Sequence, residues 1–445
     1  MKQRWMRVFS LAMGIPLLLA LLAACGAGTN TGSGNGNGSG SSSQKIIEVA
    51  TDFPTSGKDE SSGLPAQNGA QLAVDQANAN NEIPGYKLVF VPKDDVGPSG
   101  IHDPAQGATN VKALIGDALV AGIVGPFNSN VAQSEMPIAN QAPIVMISPA
   151  NTNPCLTKNT PESGCSGAND QLSKLRPTGK VTYFRIATTD DHQGPAGADY
   201  LYKTLGYRSV YIIDDAETYG IGISNNFEKE WKALGGVDLG HSSEPSSTTS
   251  YISLLTQIAA KKPDVIYFGG LDSTGGILIR KQMEQIPGLQ NTPFAGGDGL
   301  VTSTFATDIG VGHGGPVYGT VATTDANNTP TAKNFIQQYD AKFGASNLGA
   351  YSAAAYDCMG ILIQAIKTAI QNGAKPPTSS SDSADAQTFR QAVINAVQNI
   401  SYNGVLGHQS FDANGDTTNR VITIYKLGLN SSNQPDWLFA TAVTV

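Results

Sequence analysis

Residues 119–129 read LVAGIVGPFNS and residues 143–152 read PIVMISPANT, and these two stretches decide the fold. Each is a short apolar run, rich in valine and isoleucine, that stops at proline, asparagine and hydroxyl residues. This pattern predicts a buried strand that ends in a polar loop. Residues 131–140, between the two runs, have the apolar spacing of a helix. The order strand, loop, helix and strand predicts a parallel sheet.

The same alternation extends in both directions along the chain, with helical spacing between the apolar runs. It predicts an α/β fold in which parallel sheets are flanked by helices. Further strands are predicted at residues 46–50, 87–91, 209–213 and 264–268.

The last part of the chain adds helices that need a sheet to cover, so we expect the chain to return to its first sheet. About 400 residues are also too many for one core. The predicted organisation is therefore two lobes joined by three hinge crossings. The N-terminal lobe takes residues 46–185 and 320–411, and the C-terminal lobe takes residues 186–319 and 420–445.

The first 24 residues have the pattern of an export signal peptide. Lys2, Arg4 and Arg7 precede an uncharged run over residues 8–24, which is shorter than the roughly 20 residues that a spanning helix needs. The run ends in Leu-Ala-Ala before Cys25, which resembles the lipobox of bacterial lipoproteins. We predict cleavage before Cys25 and lipidation of that cysteine, which would anchor the chain to a lipid bilayer. The alternative is an uncleaved anchor helix with an incidental cysteine.

Residues 25–44 are predicted to be a tether. After Cys25 they are almost entirely Gly, Ser, Asn and Thr, and such a segment buries too little apolar surface to offset the entropy of ordering it. A flexible chain of this length spans about 25 Å. The globular part would then be free to reach a partner in the same membrane.

Charge and cysteine usage limit the partners further. The net charge is −8 and the chain after the signal has no basic run, which excludes nucleic acid as the expected partner. Cys155 and Cys165 lie close together in a polar stretch, and in an exported chain we expect them to form a disulfide. A metal site would need further ligands near them, and the sequence offers none there.

Ligands of open parallel sheets bind beyond the carboxyl ends of the strands, where loops lead into helices. Two such loops place hydroxyls at Ser129 and Thr152, and a later loop places Asp298 between glycines. A serine that opens a helix lies beside free N–H groups that favour an anion, whereas a carboxylate favours a cation. The alternative roles are helix caps and turn residues.

At these residues the chain resembles the branched-chain amino-acid-binding proteins of ABC importers, which have the type I periplasmic binding fold. The resemblance runs from about residue 46 to residue 445 and is strongest at residues 147–154, ISPANTNP. Shorter agreements follow in the family's order at Gln193-Gly194-Pro195, at Tyr219-Gly220, at residues 267–270 and at the Gly-Asp-Gly around Asp298.

The resemblance implies roles for particular residues. The family holds the α-carboxylate of an amino acid with first-lobe hydroxyls and N–H groups, which fall here on Ser129, Ala150 and Thr152. It pairs the α-ammonium with an acidic residue of the second lobe, which matches Asp298. Tyr219 matches a tyrosine that helps to close the site. A Tyr-Gly pair can also be simple strand-to-helix packing.

The side-chain pocket departs from the family pattern. Ser62 stands where the family often has a tyrosine, Leu271 stands where it has an aromatic residue, and Tyr351 aligns with an aromatic residue of the pocket wall. The identity of the solute therefore stays open, and a polar or bulkier side chain remains an alternative.

No catalytic signature accompanies this pattern, so we predict a binding protein rather than an enzyme. The sequence has no Gly-x-Ser-x-Gly elbow, no His-Glu-x-x-His and no P-loop. Its five histidines are scattered, and we interpret them as surface or buried structural residues. We expect no cofactor or metal, a monomer outside the cytoplasm, and an ABC permease as partner. The alternative is a lipid-anchored sensor that presents its solute to a membrane signalling protein.

Overall fold

The computed structural model describes residues 45–165 and 171–445. The predicted signal peptide, Cys25 and the tether lie outside the described residues. The strands are β1 (Lys45–Phe53), β2 (Tyr86–Asp94), β3 (Val120–Val124), β4 (Val145–Ser148), β5 (Tyr183–Arg185), β6 (Ser209–Asp214), β7 (Val237–Ser243), β8 (Val265–Gly269), β9 (Phe294–Gly296), β10 (Val317–Val321), β11 (Tyr402–Gly404), β12 (Gly407–Gln409), β13 (Val421–Leu429) and β14 (Pro435–Thr444). The helices are α1 (Glu60–Ala79), α2 (Pro104–Gly116), α3 (Ser129–Gln141), α4 (Gln171–Leu175), α5 (Asp190–Asp199), α6 (Thr218–Ala233), α7 (Ile252–Lys261), α8 (Ile277–Met283), α9 (Ser303–Ile309), α10 (Lys333–Phe343), α11 (Ser352–Gln371) and α12 (Ser383–Gln398).

The first sheet contains five parallel strands in the order β2-β1-β3-β4-β5. Every residue of β3 and β4 is buried, as expected for central strands that are covered on both faces. Alternate side chains divide between two cores. Ala121 and Val124 pack with residues of α1 and α11, whereas Val120 and Ile123 pack with residues of α2 and α3. This sheet and its helices are the first lobe.

The second sheet contains seven strands in the order β14-β13-β10-β9-β8-β6-β7. Strands β6 to β10 are parallel to one another, which confirms the predicted α/β class. Strands β13 and β14 are added at one edge in the antiparallel direction, a feature that the apolar pattern did not reveal. This sheet and its helices are the second lobe.

The chain passes between the lobes at adjacent segments. The N–H of Thr188 donates to the carbonyl of Ala322, and the Thr188 hydroxyl donates to the carbonyl of Val421 at 3.0 Å. Three connections therefore lie side by side. The crossing expected at residue 319 comes later, because β10 continues in the second sheet to Val321. Helices α11 and α12 pack on β3, as the return to the first sheet requires.

Two local features complete the frame. Cys155 and Cys165 form a disulfide in the loop after β4, as predicted from the sequence. Helix α11 is apolar and long enough to cross a membrane, but 67% of its most apolar window is buried. It is the core helix of the first lobe.

Candidate functional site

The loops at the carboxyl ends of the strands face each other across the cleft between the lobes. The first lobe supplies Ser129 after β3 and Thr152 after β4, and the second lobe supplies Tyr219 after β6 and Asp298 after β9. Parallel strands end at one edge of a sheet, so residues that are far apart in the sequence meet here.

Asp298 is the centre of the second-lobe side of the site. One carboxylate oxygen accepts hydrogen bonds from Gln193 at 2.8 Å and from Tyr219 at 2.9 Å, and the other accepts one from Tyr351 at 2.9 Å. Burial raises the pKa of Asp298, although the three hydrogen bonds act in the opposite direction. A Cβ on Gly297 would clash with the Tyr219 hydroxyl, which explains a glycine beside this aspartate.

Tyr351 joins the two lobes at this point. It directly precedes α11 of the first lobe and is 4% exposed. Its hydroxyl donates to Asp298 of the second lobe and accepts the N–H of Ala322 at 3.3 Å. Its ring packs edge-on against Phe127, with ring centroids 5.6 Å apart. Tyr351 is therefore buried at the junction of the two lobes, and its place in the pocket wall stays a prediction.

Asp190 also faces this site, and the sequence did not identify it. It is the first residue of α5, and its N–H donates to the carbonyl of Thr152. Both of its carboxylate oxygens are buried, and neither makes a hydrogen bond of good geometry with the described residues, although the nearby Thr152 hydroxyl acts to lower its pKa. Burial, together with the charge of Asp298, raises the pKa of Asp190 well above its ordinary value. Two carboxylates therefore share one buried site.

Arg185 is a cation near Asp190, but it is bound elsewhere. Its guanidinium donates to Asp416 at 2.7 Å and to the carbonyl of Asn153 at 2.7 Å. It lowers the pKa of Asp190, but burial and the charge of Asp298 outweigh this effect. Within residues 45–165 and 171–445, no cation therefore binds either aspartate directly.

The predicted hydrogen-bond donors of the first lobe differ in whether they already bond to other protein groups. Ser129 is 2% exposed and is the first residue of α3, whose N-terminus has no side-chain cap. The Thr152 hydroxyl is buried and makes no hydrogen bond of good geometry in the described part of the chain, but it lies close enough to Asp190 to lower the pKa of that carboxyl. The Ala150 N–H already donates to the Ser148 hydroxyl at 3.3 Å. Ser129 and Thr152 are therefore better placed than Ala150 to receive an anionic group.

A groove of about 880 Å³ opens between the lobes near the site. Its walls include Ser61 and Leu64 of α1, residues 346–349 just before Tyr351, and residues 272–275 just after Leu271. Ser61 lines this groove, whereas the predicted Ser62 does not. Both serines belong to α1, where adjacent side chains point in different directions, so Ser61 faces the groove and Ser62 does not.

The fold and this cleft define a class, the two-lobed solute-binding proteins. Residues 47–433 match the sequence model of the periplasmic binding protein family, and the chain belongs to that family. The chain is similar to the Leu/Ile/Val-binding protein BraC3 of Rhizobium johnstonii, with 29% identity over 342 residues that cover 75% of this chain and 85% of the relative.

Solved structures agree with this assignment. The leucine-binding protein LivK of Thermotoga maritima has a TM-score of 0.69 at 22% identity, and the match covers 89% of this chain and 99% of that chain. A solute-binding protein of Rhodopseudomonas palustris, solved with p-hydroxybenzoic acid, has a TM-score of 0.70 at 17% identity and covers 90% and 97%. At these identities the structures establish the type I fold. The family consists of solute-binding proteins, so the chain is a binding protein and not an enzyme.

Proposed function

We propose that the chain is an extracytoplasmic, lipid-anchored binding protein of an ABC importer and that its solute is an amino acid. The transport role is supported by curated relatives named Leu/Ile/Val-binding protein and by a solved neighbour named as the substrate-binding protein of a branched-chain amino acid transporter. In this role, acylated Cys25 holds the protein on the membrane. The tether of residues 25–44 lets a monomeric body reach the permease.

The observation that carries the amino-acid assignment is the pair of Asp190 and Asp298. A buried carboxylate is expensive unless a cation or several hydrogen-bond donors compensate it. Asp190 has no bound cation among the described residues, and a single hydroxyl, that of Thr152, acts on it as a donor. The α-ammonium of an amino acid would supply the missing charge between the two aspartates, and its α-carboxylate would lie near Ser129 and Thr152.

The hydroxybenzoate-binding neighbours suggest a rival class of solute, the aromatic acids. Such a solute carries a negative charge and no cation, so it would enter a cleft that already contains Asp190 and Asp298. Like charges at short distance in a buried site repel strongly. We therefore favour an amino acid, with Tyr351 and Leu271 beside its side chain.

Calorimetry with matched solutes tests this assignment. L-Leucine and 4-methylpentanoate share a carbon skeleton and a carboxylate, and only leucine has the ammonium group. We expect at least one free amino acid in a panel that includes leucine to bind with micromolar affinity, about −8 kcal/mol, and 4-methylpentanoate and p-hydroxybenzoate not to bind. The proposal would be refuted if 4-methylpentanoate or p-hydroxybenzoate bound and no amino acid in the panel did.

One substitution and its control test where the α-ammonium group of the amino acid binds. Asp298→Asn should weaken amino-acid binding, whereas Asp308→Asn, an exposed carboxylate of the same lobe that pairs with Lys281 at 2.8 Å, should leave it unchanged. An unchanged affinity for Asp298→Asn would contradict the assignment. A sensor would bind the same solute. Uptake of radiolabelled amino acid by cells that lack the protein, with and without complementation, distinguishes transport from sensing.

A further inference from the structure

A second contact joins the two lobes away from Asp298, and its centre is His102. This residue follows β2 in the first lobe and is 4% exposed. Its Nδ1 lies 2.8 Å from Asp59 of the same lobe, and its Nε2 lies 2.8 Å from Glu217, which precedes α6 in the second lobe. The imidazole thus bridges a carboxylate from each lobe.

Neighbouring groups fix both carboxylates. The backbone N–H of His102 also donates to Asp59 at 2.8 Å, and Ser273 of the second lobe donates its hydroxyl to the same carboxylate. Asn130 of the first lobe donates to Glu217 at 3.1 Å. Each lobe therefore supplies a carboxylate that is bound by groups of the other lobe.

The surroundings of His102 favour its charged form. Burial alone would lower its pKa, but the hydrogen bonds and charges of Asp59 and Glu217 raise it to about 10. Other acids stand close on both sides. Asp95 of the first lobe interacts electrostatically with His102, and Asp215 of the second lobe does so with Glu217 and His102. Without the imidazolium, closure would bring the carboxylates of Asp59 and Glu217 together uncompensated.

The geometry points to an inter-lobe latch, formed by Asp59, His102 and Glu217, that stabilises the closed cleft without contact with the solute. In an open conformation His102 keeps Asp59, because both belong to the first lobe, whereas the contacts of Glu217 with His102 and Asn130 and of Ser273 with Asp59 are lost. The latch biases a two-state hinge equilibrium toward closure. Its effect on solute retention rests on the proposed function, whereas its effect on closure does not.

The second lobe contains a matched control. His241 of β7 contacts Asp214 of β6 at 2.7 Å and Glu228 of α6 at 2.8 Å. This is the same set of residue types, but all three belong to one lobe. Substitutions there change a histidine–carboxylate cluster without changing any contact between the lobes.

The test measures the distance between the lobes in the solute-free protein. Spin labels at Lys112→Cys on α2 and Asn225→Cys on α6, both exposed, report the separation by double electron–electron resonance. The otherwise unmodified protein should populate the closed distance without solute. His102→Gln and Glu217→Gln should move the distribution to longer distances, and Glu217→Lys, which places a cation against His102, should open the cleft further.

The controls His241→Gln and Glu228→Gln should keep the distribution of the parent protein, and circular dichroism should show that all variants are folded. A parent protein that is wholly open, or a closed Glu217→Lys variant, would overturn the latch. With L-leucine as probe, Glu217→Gln should dissociate roughly tenfold faster, with association changed less than twofold. Failure of any amino acid to bind would refute the proposed function and leave the distance measurement as the test of the latch.

Discussion

Replacement of Asp190 by asparagine should raise stability and lower solute affinity at the same time. The side chain keeps its shape, but a buried carboxyl that can ionise becomes a neutral amide. The amide has no charge to desolvate, and the cost that this removes when Asp190 would be ionised is about 1–3 kcal/mol. With an unfolding entropy of roughly 2.1 cal/mol/K per residue over about 400 residues, this corresponds to a Tm increase of about 1–4 °C.

The gain in stability should depend on pH. Because the pKa of Asp190 is raised in the folded protein, the folded state holds the proton more tightly than the unfolded chain. The carboxyl therefore destabilises the folded protein increasingly as pH rises from the ordinary aspartate range through the raised pKa. Asp190→Asn should stabilise most at pH 8, and its advantage should disappear in acid, where Asp190 is already neutral.

Solute binding should respond in the opposite direction. Loss of one charge-assisted hydrogen bond of about 1.5–3 kcal/mol weakens amino-acid binding by roughly 10- to 150-fold, measured by calorimetry. The control is Asp191→Asn. Burial acts to raise the pKa of Asp191, but the charge of Lys158 at 2.9 Å lowers it below the ordinary value, so this change should lower Tm and leave affinity unaltered. A lower Tm for Asp190→Asn at pH 8, or an unchanged affinity, would refute the reasoning.

Three further outcomes are expected. Amino-acid binding near neutral pH should release protons, because a cation between Asp190 and Asp298 lowers their raised pKa values; equal calorimetric enthalpies in phosphate and Tris would contradict this. The double change Cys155→Ser and Cys165→Ser, which removes a crosslink over a sequence separation of 10, should lower stability by about 2.7 kcal/mol in urea unfolding without altering affinity, and an affinity loss would mean that the loop helps to form the site. Cys25→Ser should move the protein from the membrane to the soluble fraction of cells, and continued retention would argue against lipidation.

The first lobe was predictable because its strands are short, apolar and buried on both faces. In an α/β chain, residues 119–124 and 143–147 fit only buried strands of a parallel sheet. The loops that follow these strands bring Ser129 and Thr152 to the same edge of the sheet. Asp298 was predicted as a site residue for the same reason, because it lies in a loop after a strand of the second sheet. The antiparallel direction of the edge strands β13 and β14 was not predicted, because it depends on packing against β10 and not on the spacing of apolar residues.

Asp190 and His102 could not be assigned from the sequence, for different reasons. Asp190 follows Thr189 at the start of a helix, which is the sequence of an ordinary helix N-terminus. Only the three-dimensional packing shows that no N–H group of the described residues donates a hydrogen bond to its carboxylate. His102 was interpreted with the other histidines as a surface or structural residue. Its partner Glu217 is 115 positions away in the sequence, so the contact exists only after the lobes have formed and closed.

The late return of the chain to its first sheet has a consequence for biogenesis. Helices α11 and α12 cover β3, yet they are made after all five parallel strands of the second sheet. The core of the first lobe thus depends on contacts of very large sequence separation, which form slowly. In a chain exported as proposed, the first lobe cannot be completed until α12 has crossed the membrane. The order of elements would then keep the polypeptide threadable during translocation and delay its collapse until it reaches the far side.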